Sequence, residues 1–282
     1  MALEWKCGEV SVKADDVIAI VREAGKAIME IYNTDEEKWG KTTKSDDSPL
    51  TMADLAANKI ICDRLSVLYP SIPIVSEENK LKPYNERKNY VHFFCVDPLD
   101  GTKEFIKRNG QFTVNVGLCE RGEPVLGVVG VPAGEVPVVL FGVKGQGAFE
   151  ENEADRYPER IRCKGQSFFS EEDEGLTVVA SASHNTPETD AFIARLKSPK
   201  KTSLGSSLKL LLVAQGKAHI YPRLAPTSEW DTCAAHAVVA AAGGEVLQVA
   251  GGKECEPGQP LRYNKPHPLN PHFVVYGKRR AA

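Results

Sequence analysis

The chain has 282 residues, 42% of them hydrophobic and 26% charged. That is the composition of a folded globular protein, and it excludes collagen-like, low-complexity and intrinsically disordered classes. Thirty-five basic residues against 38 acidic ones leave a net charge of -3, with no long basic block to serve as the footprint of a nucleic-acid polymer, whereas a small phosphorylated ligand needs only a few local donors.

Apolar spacing at Val17, Ile20, Val21, Ala24, Ile28 and Ile31 predicts a helix over 14–32. A polar stretch, 33–48, ends at Pro49, and a second helix is predicted over 53–69, stopped by Pro70. Strands are predicted at Ile74–Val75, Val91–Val96, Thr113–Leu118, Val125–Val131 and Val136–Phe141. Gly and Pro punctuate that run, which predicts an antiparallel sheet. Residues 150–175 are charged and read as a junction. Beyond them a strand at Val178–Ser181, helices at 187–196 and 206–215, a strand at His219–Tyr221 and a helix at 230–242 predict an α/β layer. At about 150 residues per domain the length fits two domains.

The seven cysteines are scattered, odd in number and without a Cys-x-x-Cys pair. They read as free thiols in a reducing compartment, not as a disulfide framework or a zinc site. No apolar stretch approaches the ~20 residues of a membrane span, and Met1 to Lys6 lack a signal-peptide core. The expectation is a cytoplasmic protein with no membrane span.

Chemistry concentrates in residues 94–107, FCVDPLDGTKEFIK. Pro98 has no N–H and fixes its own φ, so a sharp turn is expected after Val96. Asp97 and Asp100 then converge with the Leu99 carbonyl between them, an oxygen-only donor set that suits Mg²⁺. Gly101 and Thr102 would open a helix whose free N–H groups favour phosphate. A surface turn uses the same residue types. Glu77-Glu78 reads either as a second acidic pair for a metal or as a solvated strand end. Asp231 could be a ligand or a helix N-terminal charge, and Asp54, three residues after Thr51, could act chemically or close a capping box.

Residues 94–107 resemble the first signature of the lithium-sensitive, Mg²⁺-dependent phosphatases that include inositol monophosphatase. Residues 230–244, WDTCAAHAVVAAAGG, resemble the second. Asp54, Ser76-Glu77-Glu78, the Asp97–Thr102 turn and Trp230-Asp231 follow in that family's order, and the resemblance runs from about Ala14 to Phe273. Lys103-Glu104, Ser181-Ala182-Ser183-His184, Gly205 through Lys209, and Tyr221-Pro222-Arg223 through Pro226-Thr227 resemble the 3′(2′),5′-bisphosphate nucleotidase branch. Ala182 stands where that branch has Arg.

The resemblance implies a mixed α+β and α/β fold, a layered α-β-α-β-α sandwich, with an N-terminal domain at 1–165 and a C-terminal domain at 166–282. It implies a cluster of two or three Mg²⁺ ions held by Glu77, Asp97, the Leu99 carbonyl, Asp100 and Asp231. Thr102 and Asp54, with Glu77, would relay the proton of a metal-activated water in in-line attack. Gly101 and Thr102 would cradle the scissile phosphate, and Ser181, His184, Gly205 and Lys209 would bind the nucleotide. The implied reaction removes the 3′-phosphate of adenosine 3′,5′-bisphosphate, giving AMP and phosphate, in sulfur assimilation and with inhibition by Li⁺. The 2′,5′ isomer and 3′-phosphoadenosine 5′-phosphosulfate are further implied substrates. An inositol phosphate phosphatase with the same metal site and a catalytically silent nucleotide sensor are the alternatives. The expected partner is a small nucleotide bisphosphate, and the expected state is monomer or homodimer.

Overall fold

The computed structural model describes residues 3–44, 48–134, 136–152, 159–161, 169–181, 186–251 and 255–280. A hairpin of β1 (Glu4–Cys7) and β2 (Val10–Lys13) leads into α1 (Ala14–Tyr32). A two-residue pair, β3 (Thr42–Thr43) and β4 (Pro49–Leu50), precedes α2 (Met52–Leu68). Then come β5 (Ile74–Ser76), α3 (Tyr84–Arg87), β6 (His92–Asp100) and α4 (Thr102–Ile106). Strands β7 (Thr113–Glu120), β8 (Glu123–Val131), β9 (Val138–Val143), β10 (Gly147–Asn152) and β11 (Glu159–Ile161) complete a seven-stranded sheet in the order β11-β10-β9-β8-β7-β6-β5. The remaining elements are β12 (Thr177–Ser181), α5 (Pro187–Ala194), β13 (Lys200–Leu204), α6 (Leu208–Ala214), β14 (Ile220–Arg223), α7 (Glu229–Ala241), β15 (Glu245–Gln248) and β16 (Phe273–Tyr276). Their five strands form a second sheet in the order β13-β12-β14-β16-β15.

Strand alternation sorts side chains into three cores and so sets the layers. Phe94, Val96, Val114 and Val116 face α1 and α2 in the first core. Phe93, Cys95 and Cys119 point the other way, against α7, and share the second core with Tyr221, Phe273 and Val275 of the second sheet. Ile220, Val274 and Tyr276 face outward onto Phe192 and Ile193 of α5. The layers are therefore α1/α2, seven-stranded sheet, α6/α7, five-stranded sheet and α5.

Helix α7 packs closely on the first sheet. Gly117 lies opposite Gly127 and Gly127 opposite Gly142, a row across β7, β8 and β9. A Cβ on Gly127 would sit 2.1 Å from the Ala234 carbonyl oxygen, and one on Gly142 would sit 2.8 Å from Ala241 Cβ. Ala234, Ala237, Val238 and Ala241 recur at helical spacing along the facing stripe of α7. Small residues on both surfaces let helix and sheet approach until backbones touch, which fixes where the first turn of α7 ends up.

Some expectations need correction. The chain does not turn sharply at Pro98: β6 continues to Asp100, with the register against β7 shifted between Asp97 and Asp100. The first sheet is not wholly antiparallel, because β5 runs parallel to β6. Residues 150–175 are not simply a junction either, since β10 reaches Asn152 and β11 extends the first sheet. Helix α6 begins at Leu208, not at 206.

Candidate active site

The shift in β6 brings the first two carboxylates together. Asp97 pairs with Asn115 and Asp100 with Thr113, so three steps along β6 match two along β7. Strict alternation would send residues three apart to opposite faces; one extra residue returns both to the same side. The bulge also accommodates Pro98, which has no N–H to give a ladder. Asp97 is fully buried and accepts from the Leu99 N–H at 3.1 Å, while Leu99 anchors its side chain in the first core.

Two further carboxylates arrive from other elements. Glu77 follows β5 and is fixed to β6 by its own N–H, which donates to the Val96 carbonyl at 3.1 Å. Asp231 is the third residue of α7, and its Oδ2 accepts from the Ser228 N–H at 2.9 Å. Glu77, Asp97 and Asp231 each bring an oxygen within 4.8 Å of the others. Asp100 lies beside this group, with Oδ2 accepting from the Ser207 N–H at 2.5 Å. Burial, reinforced by Glu77, Asp100 and Asp231, lifts the Asp97 pKa well above the carboxylate range. Burial and the charges of Asp100 and Glu77 push Asp231 up to about 8. Asp100 rises only to about 6, because Lys209 and the Ser207 N–H oppose its desolvation. Carboxylates that repel one another in this way stay ionised together only beside a cation.

Asp54 closes the capping box and also accepts a hydrogen bond from Thr102. Its Oδ2 accepts from Thr51 N at 2.7 Å and Thr51 Oγ1 at 2.6 Å, capping α2, while Oδ1 accepts from Thr102 Oγ1 at 3.0 Å. Burial raises its pKa against the pull of those donors. Thr102 opens α4 behind Gly101, whose φ of +97° and close neighbours (Gln111 O at 3.0 Å and Ser206 Cβ at 3.1 Å from a Cβ placed there) require glycine.

Glu77, Asp100, Thr102 and Asp231 line a cavity of about 280 Å³ together with Gly205, Lys209 and Arg223. Lys209 is buried and donates to the Ser206 carbonyl at 2.6 Å, and desolvation lowers its pKa to about 8 although Asp100 resists. The missing Cβ of Gly205 makes room for Glu104, whose Cγ would lie 2.7 Å away, so this glycine serves the packing of the loop. Ser181 ends β12, but its side chain lies outside the described residues, as does His184.

A profile of the inositol monophosphatase family matches residues 12–275. The chain belongs to the inositol monophosphatase family. Within it, the 3′(2′),5′-bisphosphate nucleotidase CysQ of Escherichia coli K12 is 40% identical over 262 residues, covering 93% of this chain and 98% of its own. The protein of the same name from Salmonella typhimurium is 42% identical over 232 residues, covering 82% and 89%. The crystal structure of CysQ from Bacteroides thetaiotaomicron, a bacterial member of the family, superposes with a TM-score of 0.78 at 40% identity, covering 95% of this chain and 97% of the other. Among the described residues no helix is long and apolar enough to cross a membrane.

The donor set fits a hard divalent ion: it is all oxygen, multiply acidic and largely desolvated. Two residues that hold this acidic cluster in place carry no signal in the sequence. Lys44, in the polar stretch before α2, donates to Glu77 Oε1 at 2.6 Å and Glu78 Oε1 at 2.5 Å. Ser207 ties the loop before α6 to Asp100 and to β7 through Thr113 Oγ1 at 2.7 Å and Asn115 Oδ1 at 3.1 Å. A lone Lys and a Ser in a loop gain these roles only from tertiary placement.

Proposed function

We propose that this chain hydrolyses the 3′-phosphate of adenosine 3′,5′-bisphosphate to AMP and phosphate, with Mg²⁺ held by Glu77, Asp97, the Leu99 carbonyl, Asp100 and Asp231. One observation carries this reading: a single cavity is lined both by the carboxylates of Glu77, Asp100 and Asp231 and by the buried cations Lys209 and Arg223. The carboxylates suit a divalent ion and the phosphate to be cleaved, the cations a further anion on the same substrate. The names of the relatives that match nearly the whole chain support the same substrate class.

Two or three Mg²⁺ ions bound there would neutralise the phosphate dianion and acidify the attacking water. The chain's own residues then manage the proton. Thr102 is a poor base alone, so it takes the water's proton at Oγ1 as it passes its own to Asp54 Oδ1, 3.0 Å away. Thr51 holds the other Asp54 oxygen, which leaves Oδ1 aimed at Thr102. Burial raises the Asp54 pKa and makes it a stronger acceptor. Lys209 pairs with the phosphate that stays, and Ser181 and His184 contact the nucleotide, as in the family resemblance. The site then lies where the 1–165 half of the chain meets the 166–282 half.

Phosphate release from adenosine 3′,5′-bisphosphate and inositol 1-phosphate, each with Mg²⁺, with chelator and with added Li⁺, tests the reading. It predicts Mg²⁺-dependent, Li⁺-inhibited turnover that favours the bisphosphate. Preference for inositol 1-phosphate would reassign the chain to inositol phosphates. Tight nucleotide binding without turnover in excess Mg²⁺ would make it a sensor.

A further inference from the structure

A second cavity, an open groove of about 540 Å³, lies between α3, the residues entering β6, the turn from β7 to β8 and the loop 262–266. Val91 lines it and precedes Asp97 on an extended chain, which puts the groove about 20 Å from the acidic cluster. No Asp or Glu lines this groove, whereas Lys88, Arg121, Arg262 and Lys265 do. Arg262 is engaged by Glu123 and Lys265 by Glu229. Among the described residues Lys88 and Arg121 have no ion pair and no side-chain hydrogen bond. Beside them Tyr84 is 39% exposed and Tyr90 half-buried, and the Arg87 guanidinium stands 5.1 Å over the Tyr84 ring.

Arg121 is also held in an unfavourable backbone conformation. Arg121 and Gly122 form the whole loop between β7 and β8, and both have positive φ, +49° and +76°. A two-residue hairpin loop of this kind favours Asn, Asp or Gly at its first position, and a side chain such as Arg makes the left-handed region costly. The Arg121 N–H is fixed to the Val91 carbonyl at 2.6 Å and its carbonyl accepts from Arg262 Nη2 at 3.1 Å. An unpaired guanidinium is therefore presented at the groove by a turn that another residue would form more easily. Strain kept in place beside a binding surface points to function.

We propose that this groove binds a nucleoside polyphosphate at a site separate from the catalytic cavity, with phosphates on Lys88 and Arg121 and the base against Tyr84. Arg and Lys supply charge-assisted donors to phosphate oxygens, and an exposed Tyr ring is a stacking platform for a base. The inference goes beyond the proposed function and does not depend on it.

Titration calorimetry with ATP as probe, in chelator, tests it on wild type, Arg121→Asn, Lys88→Gln and Tyr84→Leu. Arg121→Asn should weaken ATP about 10-fold, as for one charged hydrogen bond, while the better turn residue raises Tm by about 1–3 °C. Lys88→Gln, an exposed substitution, should weaken ATP about 10-fold with Tm unmoved. Tyr84→Leu should weaken ATP about 5-fold and leave inorganic tripolyphosphate binding unchanged. Phosphate release at the catalytic cavity should be the same in all four proteins. No ATP binding by wild type at millimolar concentration, or equal binding in wild type and both cation variants, would overturn the inference. Tripolyphosphate or a hexaglutamate peptide binding as tightly as ATP would overturn it too, since the groove would then accept any polyanion.

Discussion

Asp54 joins a structural contact and the contact on which the proposed proton relay rests in one side chain. Oδ2 closes the cap of α2 and Oδ1 meets Thr102. Asp54→Asn retains the shape and loses the proton acceptor. It should lower kcat by about 10²- to 10⁴-fold with little change in KM, and thermal unfolding should move by only a few degrees. Intact kcat with a raised KM would remove Asp54 from the relay. The aspartates of residues 97–100 were legible because so many special residue types crowd into so short a stretch. Lys44 and Ser207 were not, since their partners lie 33 and 107 positions away and nothing local marks them.

At the scale of elements, placement of Asp231 depends on how deeply α7 sinks onto the sheet. The row Gly117, Gly127 and Gly142 is what allows it. Gly127→Val would drive a side chain into the Ala234 carbonyl, where the contact is backbone and cannot swing aside. The expected cost is about 3 kcal/mol, the upper end of core overpacking, read as a lower denaturation midpoint. An unchanged midpoint would show that α7 has slack. Helices α1 and α2 were readable to within a residue from apolar spacing and Pro70. The bulge was not, because Asp-Pro-Leu-Asp reads locally as a turn and becomes a bulge only when β7 pairs beside it. Edge and short strands escaped as well: β13 is Lys-Lys-Thr-Ser-Leu, and β16 follows a long stretch with no periodic pattern.

For the whole molecule, gathering carboxylates between two sheets links stability to pH. Asp231 at about 8, and Asp97 above its ordinary range, hold protons in the folded protein that the unfolded chain releases near pH 4. Between pH 6.5 and 8 the folded state therefore binds more protons, and its stability falls as pH rises. His236, pushed down to about 3 by burial, destabilises only below pH 6.5, and Lys209, lowered to about 8, begins to oppose the loss only as pH nears 8, too late to cancel Asp97 and Asp231 together. Protein treated with chelator should accordingly lose thermal stability from pH 6.5 to 8, and saturating Mg²⁺ should restore it most at the upper end. A chelated protein that gains stability over that range would contradict the shifts.

The most direct measurement is an anomalous difference map from crystals grown with Mn²⁺. The account predicts strong peaks bounded by Glu77, Asp97, Asp100 and Asp231, beside the Leu99 carbonyl. A map that is flat there, with manganese bound elsewhere or nowhere, would contradict it.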